Sequence, residues 1–317
     1  MAVKLAAAHP GDLGAQDTLS QYYAMIGTTV NRQNRVQESL LYYRKAAEVR
    51  EAIYRKNPRN TKYQRSLMIG YGHIGDVLGN PFTGCLGDYR GALEYYQKAE
   101  RIAEDMSRAD PSDKRAGFDM GMIWTRIGAA RQAAGDLKQS NQALDRAIAQ
   151  FEPVLKSSPD NASYARGMAI AYEYRARNLW LLGNRTAAIA WYRKSLTIAD
   201  KLIAGRPADT AAHAQRCAAK GPISSLLALA GDREGAVQAA REAVAEAEAN
   251  LSHGGTLPSV ARAWFWCAQT YETLHDSKTA AAGYAKSLEA WKKTGPGLTG
   301  PFAAQMREAQ RKAANLP

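Results

Sequence analysis

The chain has 317 residues, of which 46% are hydrophobic and 23% are charged, and its formal net charge is +12. These values predict a soluble chain with an apolar core and one to three domains. No stretch approaches the roughly 18 consecutive apolar residues of a membrane helix, and the first residues lack the apolar run of a signal peptide. The cysteines Cys85, Cys217 and Cys267 are far apart and form no CxxC pair, which argues against a disulfide framework and a thiolate zinc site.

Pairs of small residues seven positions apart recur along the chain and indicate an internal repeat. Successive pairs are 53, 48, 48, 48 and 44 residues apart, and each pair marks a helix face that another helix can approach closely. Gly followed by Asp or Asn precedes most pairs and indicates a helix end followed by a helix start. The pairs are Ser39/Ala46, Ala92/Ala99, Ser140/Ala147, Ala188/Ser195, Ala236/Ala243 and Ala280/Ser287.

Each repeat is therefore predicted to be a helical hairpin, closed in most cases by a proline that cannot continue the helix. In chain order, we expect hairpins at about 11–57, 60–109, 113–157, 161–205, 209–252 and 257–293. An amphipathic stripe over residues 302–315 predicts a terminal capping helix.

The first helix of most hairpins carries a large aromatic residue, with an apolar and a small residue about one turn later. The fifth hairpin departs from this pattern, with Lys220 in the aromatic place and Gly221-Pro222 after it, and we expect a kink there. Together with the Gly-Asp turns and closing prolines, the pattern resembles the tetratricopeptide repeat family over nearly the whole chain. The resemblance implies one all-α domain over 1–317, a right-handed α-solenoid with unusually long helices. The aromatic row is Tyr23, Tyr71, Trp124, Tyr172 and Trp264.

The sequences at 74–82 with 87–88, at 92–99 and at 110–113 also resemble the C-terminal repeat extension of bacterial serine/threonine protein kinases. That resemblance implies an alternative function, as a regulatory, sensor or self-association segment. The sequence contains no Gly-rich loop after a strand, no His-Arg-Asp and no Asp-Phe-Gly, so phosphoryl transfer is not assigned to this chain.

Motifs for catalysis, cofactors and metals are weak or missing. Gly70-x-Gly72-x-x-Gly75 matches the dinucleotide fingerprint in letters, but it falls inside a predicted helix, where Gly75 aligns with the small residue of the hairpin contact. The five histidines form no HExxH motif, and no nucleophile stands in a recognisable catalytic motif. We therefore predict a protein that is not an enzyme and needs no cofactor or metal.

The family resemblance implies that the first helices line a concave groove, and exposed groove positions follow by helical spacing from the aromatic row. Arginine can hold a carboxylate through two parallel hydrogen bonds, and an exposed Trp is a common anchor. We expect a protein-interaction scaffold that binds a partner peptide or helix with an acidic element; a merely solvated groove is the alternative. The predicted groove residues are Arg65, Ile69, Asp76, Met122, Thr125, Arg126, Arg166, Glu173, Arg177 and Trp180.

Residues 80–87 lengthen the turn of the second hairpin. Because insertions in repeat arrays map to one face, Phe82 and Leu86 are candidates for a binding loop. The alternative is a self-packed turn, in which both side chains fold onto the helix ends.

Nucleic-acid binding is a further alternative, because the chain is basic. Acidic residues accompany the basic ones in every repeat, whereas a site that tracks a phosphate backbone needs a basic stripe. Doubled tyrosines, as at Tyr95-Tyr96, are expected to pack in the core rather than to stack on bases.

Overall fold

The computed structural model describes residues 8, 11–81, 84–295 and 297–316. These residues form thirteen α-helices and no strand, so the predicted all-α repeat fold is confirmed for this part of the chain. None of the helices described is both long and apolar enough to cross a membrane. In chain order they are α1 Leu13–Arg32, α2 Val36–Lys56, α3 Thr61–Gly79, α4 Tyr89–Ala109, α5 Lys114–Ala133, α6 Leu137–Ser157, α7 Ala162–Leu181, α8 Arg185–Gly205, α9 Thr210–Leu229, α10 Arg233–Leu251, α11 Leu257–Thr273, α12 Ser277–Lys293 and α13 Gly300–Asn315.

Most helices begin after an Asp or Asn whose side chain accepts backbone N–H groups of the first turn. Asn60 and Asn161, for example, each accept from two such groups. These caps satisfy N–H donors that have no acceptor within the helix. The turn between two helices of a hairpin often contains one residue with left-handed backbone, such as Gly135 at φ 84°. Glycine adopts this conformation without a steric penalty, which explains the Gly-Asp and Gly-Asn signals in the sequence.

The chain divides into two compact units. The first comprises 1–150 and 297–301, and the second comprises 151–296 and 302–317. Helices α1 to α5 belong to the first unit and α7 to α12 to the second. The single domain predicted over 1–317 stays a prediction.

In the first unit, one apolar core joins consecutive hairpins. Leu67, Ile74 and Tyr96 lie in this core and are at most 2% exposed. A Cβ atom on Gly75 would lie 2.4 Å from the Tyr96 ring, so only glycine leaves room for this ring. The glycine triplet that matches the dinucleotide fingerprint thus lies inside α3, where Gly75 serves helix packing.

In the second unit, small residues again let the helices approach. Ala188 is fully buried in α8 and packs in a cluster with Ile223 and Leu226 of α9. The irregular α9 continues through its glycine and proline from Thr210 to Leu229. A Cβ atom on Gly221 would lie 2.7 Å from the Trp266 side chain, so the glycine that breaks the sequence pattern accommodates this indole. The expected kink stays a prediction.

Helix α13 packs on the last hairpin of the second unit. The rings of Trp291 and Phe302 are 5.1 Å apart, and Phe302 is buried. Lys312 also forms an ion pair with Glu272 of α11. These contacts confirm the terminal capping helix, because they cover a hairpin that has no further hairpin after it in the described residues.

Candidate protein-interaction site

In the first unit, Arg65 on α3 is engaged in ion pairs. Its Nε donates to Asp119 over 2.7 Å, and its Nη2 donates to Asp113 over 3.0 Å. Asp113 is also the N-cap of α5, so the two ion pairs connect the second hairpin with the start of the third. Arg65 therefore braces two hairpins, which leaves little of its guanidinium for a ligand.

Asp76 and Arg126, two further predicted groove residues, form an ion pair with each other. Arg126 Nε donates to Asp76 Oδ1 over 2.9 Å, and the Tyr96 hydroxyl donates to the same oxygen over 2.9 Å. Asn80 donates to it as well, over 3.0 Å. Burial opposes ionisation of Asp76, yet the Arg126 guanidinium holds the pKa of this carboxyl below its usual value. The carboxylate is thus the centre of a satisfied network.

Thr125 was predicted to be exposed, and this expectation is wrong. Its side chain is 2% exposed, and its hydroxyl donates to the Gly121 carbonyl over 2.8 Å. A helix residue that lies between two rows of contact residues can face a neighbouring helix. Spacing from Trp124 alone therefore predicted the wrong exposure for Thr125. Of the other predicted residues in this unit, Met122 is half-buried, and Ile69 is exposed at 38%.

In the second unit, Arg166 on α7 has the same role as Arg65. Its Nη2 donates to Asp209 over 2.8 Å. Asp209 is the N-cap of α9, as Asp113 is the N-cap of α5. This guanidinium therefore connects the fourth hairpin to the fifth.

Glu173 was also predicted to be exposed, and it is buried instead. The residue is 4% exposed, and its carboxyl accepts a hydrogen bond of 2.8 Å from the Ser195 hydroxyl of α8. Burial raises the pKa of the Glu173 carboxyl to about 7, against the opposing effects of Ser195, Arg262 and Gln215. Glu173 thus titrates near neutral pH.

Arg177 and Trp180 lie one and two turns further along α7 and remain accessible. Arg177 is exposed, and its side chain has no ion pair or hydrogen bond among the described residues. The Trp180 ring lies 5.4 Å from the Trp266 ring of α11, at an interplanar angle of 40°. Both indoles are half-buried, so part of each side chain remains accessible to solvent.

Arg262 on α11 and Gln215 on α9 also belong to this group of residues. Burial, and next the nearby Arg177, lower the pKa of the Arg262 guanidinium below its usual value. Gln215 is 7% exposed, and its amide lies beside the Glu173 carboxyl, whose pKa it lowers. We name these residues the Arg–Trp cluster: Glu173, Arg177, Trp180, Gln215, Arg262 and Trp266.

Sequence reasoning missed Arg262, Trp266 and Gln215. The predicted groove positions follow from the aromatic residues of the second to fourth hairpins alone. Arg262 and Trp266 stand two residues before and two after the aromatic Trp264, as Met122 and Arg126 do around Trp124. Extending the same spacing to the sixth hairpin identifies both. Gln215 has no such signal, because the fifth hairpin lacks the aromatic residue from which to count.

The extended turn of the second hairpin packs at least in part on its own unit. Leu86 lies against the apolar core, and its N–H donates to the Val77 carbonyl over 2.9 Å. The neighbouring Cys85 is fully buried. Phe82 lies outside the described residues, so the binding-loop hypothesis stays a prediction.

The second unit also contains an apolar groove between α6, α7 and α8. Its volume is about 590 Å³, and its floor is formed by Leu155, Met168, Ile198 and Leu202. Its rim carries charges of both signs, including Lys201 and Glu152. The groove thus does not favour a ligand of one particular charge.

Within the described residues, no three His, Cys, Asp or Glu side chains are grouped so that they could hold a metal ion. The three cysteines are buried, and burial raises the pKa of each thiol, to about 12 for Cys217 and about 11 for Cys267. Such thiols are poorly suited to act as nucleophiles at neutral pH.

The family model for the tetratricopeptide repeat matches residues 171–202, which run from α7 into α8. The solved structure of BtubC (BKLC) from P. vanneervenii is similar, with 16% identity, 81% of this chain and 91% of that chain covered, and a TM-score of 0.55. A Rap protein, complexed with Competence and Sporulation Factor, has 13% identity, 93% of this chain and 75% of that chain covered, and a TM-score of 0.56. At such identities the likeness concerns the fold alone. The comparison with curated proteins gave no match.

Proposed function

We propose, from the premise that this chain contains a tetratricopeptide repeat, that it is a non-catalytic protein-interaction module. In this proposal, the Arg–Trp cluster of the second unit binds an extended or helical segment of a partner protein. The observation that carries the proposal is the exposed guanidinium of Arg177, which no described residue engages, beside the paired indoles of Trp180 and Trp266.

The two indoles supply the apolar part of such a site. Trp side chains bury a large area with little loss of conformational freedom, and they are enriched among the residues that contribute most to protein interfaces. Because Trp180 and Trp266 support each other at 5.4 Å, their rings are held in place before a partner arrives. An apolar side chain of the partner can therefore pack on them at a small entropic cost.

Arg177 supplies the polar part of the site. Its planar guanidinium can donate two parallel hydrogen bonds to one carboxylate, and no carboxylate of the described residues engages it. Arg262 lies close enough to add a second positive charge. We therefore infer an acidic residue in the partner segment, next to the residue that packs on the indoles.

A phage-displayed library of random peptides tests this function. We expect selected peptides that combine Asp or Glu with a neighbouring apolar residue, and a loss of affinity of about tenfold or more with Arg177→Glu, Trp180→Ala and Trp266→Ala. Arg193→Glu is the matched control, because Arg193 is also exposed but lies on α8 and is not a member of the cluster. Isothermal titration calorimetry measures the affinities, and circular dichroism verifies the fold of each variant.

Two results would contradict the proposal. One is a set of peptides that bind with the same affinity to all three cluster variants, and the other is binding that Ile198→Glu in the apolar groove removes. An oligonucleotide that binds with an affinity falling steeply with salt would instead support nucleic-acid binding. The resemblance to a kinase extension stays a prediction about the origin of the chain.

A further inference from the structure

The junction between the fourth and fifth hairpins carries a histidine whose two ring nitrogens both face an oxygen acceptor. His213 lies near the start of α9, and its Nε2 is 2.8 Å from the Pro207 carbonyl oxygen, in the loop that joins α8 to α9. Its Nδ1 is 2.8 Å from the Glu246 carboxylate of α10. A neutral imidazole has one N–H group, so only the doubly protonated ring can donate to both oxygens.

The charged groups around this ring come from three helices. Arg216 of α9 donates from its Nε to the Glu246 carboxylate, and its Nη1 pairs with Asp200 of α8 over 3.4 Å. The Pro207 carbonyl, followed by the Glu246 carboxylate, raises the pKa of His213 above its usual value, against the opposing effects of burial and Arg216. The His213 side chain is 21% exposed, so solvent can supply and remove its proton.

Loss of one proton breaks one of the two hydrogen bonds of His213. The remaining N–H stays on the nitrogen that faces Glu246, because a charged acceptor forms the stronger hydrogen bond. The Nε2 lone pair then faces the Pro207 carbonyl oxygen at 2.8 Å, and two acceptors at this distance repel each other. Since Pro207 is exposed, its carbonyl group can turn towards water instead.

The loop that this hydrogen bond holds, residues 206–209, connects two parts of the second unit. Asp209 is the N-cap of α9 and forms the ion pair with Arg166 of α7. Arg206 and Asp209 also line the apolar groove between α6, α7 and α8. A change at Pro207 can therefore reach both the stacking of the fourth hairpin on the fifth and one wall of the groove.

The corresponding position of the first four hairpins holds no ionisable residue. His213 is the fourth residue after the N-cap Asp209. The residues four positions after the N-caps of α1, α3, α5 and α7 are Gln16, Gln64, Gly117 and Ala165. A glutamine is thus compatible with this place in the repeat.

We propose that His213 is a pH-dependent latch: its doubly protonated ring ties the loop 206–209 to the fifth hairpin, and loss of one proton releases the loop and loosens the junction with the fourth hairpin. This inference goes beyond the proposed function and does not depend on it. Because the folded chain binds this proton more tightly than the unfolded chain, the contribution of His213 to stability is full below about pH 6.5. The contribution is lost as the pH rises through the pKa of the folded chain.

Hydrogen exchange followed by mass spectrometry tests the release of the loop. For the wild-type chain, we expect the protection of the amides in 206–213, corrected for the intrinsic effect of pH, to fall by about fivefold between about pH 6 and about pH 8.5. The junction at 158–165 is the internal control, because it has the same kind of capped helix start without a histidine. With His213→Gln, protection in 206–213 should no longer change with pH.

NMR titration of the histidine side chains measures the protonation itself on the wild-type chain, and His213→Gln identifies the signal. A pKa above the usual value of about 6.5, with pH-dependent protection in 206–213 but not in 158–165, would support the latch. A His213 pKa at or below that value would overturn it. A raised pKa with loop protection that is constant over the same pH range would overturn it as well. Both measurements are made without peptide, so either failure leaves the proposed function standing.

Discussion

In both units, the first helices of the hairpins carry arginines. These arginines differ in how many carboxylate groups lie near them. In the first unit, Arg65 pairs with Asp113 and Asp119, and Arg126 pairs with Asp76. In the second unit, Arg177 makes no ion pair among the described residues, and the Glu173 carboxyl near Arg262 holds its proton up to about neutral pH. An arginine on one of these helices therefore stabilises the packing of hairpins where carboxylates form ion pairs with it. Where they do not, the arginine is a candidate ligand-binding residue.

The same rule separates residues within the second unit. Arg166 pairs with the N-cap residue Asp209 of the next first helix, as Arg65 does with the N-cap residue Asp113 in the first unit. An N-cap Asp already accepts backbone N–H groups, so a guanidinium on its second oxygen fixes the start of a helix against its neighbour. Both arginines therefore contribute to stacking of hairpins within their own unit.

The largest effect should follow from breaking the network of the first unit. Asp76→Ala leaves Arg126 without its carboxylate and the Tyr96 hydroxyl without its acceptor, in a site where Asp76 is 18% exposed. We expect a loss of about 3 kcal/mol in the free energy of unfolding, measured by urea denaturation. The control Asp105→Ala removes an exposed pair with Arg108 and should cost less than about 0.5 kcal/mol. Equal losses in the free energy of unfolding for Asp76→Ala and Asp105→Ala would refute the distinction between an ion pair that connects two hairpins and an exposed ion pair.

An intermediate effect of opposite sign should follow from Glu173→Gln in the second unit. Because its pKa is raised, Glu173 binds its proton more tightly in the folded than in the unfolded chain. The contribution of Glu173 to the free energy of unfolding is thus largest below about pH 4.5 and falls as the pH rises to about 7. Above that pH it no longer changes.

The variant lacks this loss, so it should be more stable than the wild type above neutral pH, by roughly 2 kcal/mol, and similar to it near pH 4. Thermal unfolding over a pH series measures the difference. A stability difference that does not change with pH would show that Glu173 keeps one charge state throughout. The pH dependence due to His213 is present in both proteins and cancels in the comparison.

The fold could be predicted from the sequence because its signals are local. Small-residue pairs, Gly-Asp turns and caps such as Asn60 act within a few residues, and they recur at similar intervals along the chain. The site was harder to predict, because exposure and pairing depend on neighbouring helices. Spacing on α7 alone identified Arg177 and Trp180, but it gave Glu173 as exposed, since the Ser195 that covers it comes from α8. The position of the Gln215 amide beside the Glu173 carboxyl is visible only once α7 and α9 are in place.

The smallest effect on stability should come from Arg177→Ala, which makes it the sharpest test of the comparison. Since the Arg177 side chain is exposed and without an ion pair or hydrogen bond among the described residues, its removal should change the free energy of unfolding by less than about 0.5 kcal/mol. Peptide affinity should nevertheless fall by about tenfold, because the function proposed above assigns the partner's carboxylate to this guanidinium. Arg65→Ala in the first unit should behave in the reverse way, with a clear loss of stability and unchanged peptide affinity. If both substitutions affected stability alone, the surplus charge of the second unit would be structural, and the binding segment would have to lie on another surface of that unit.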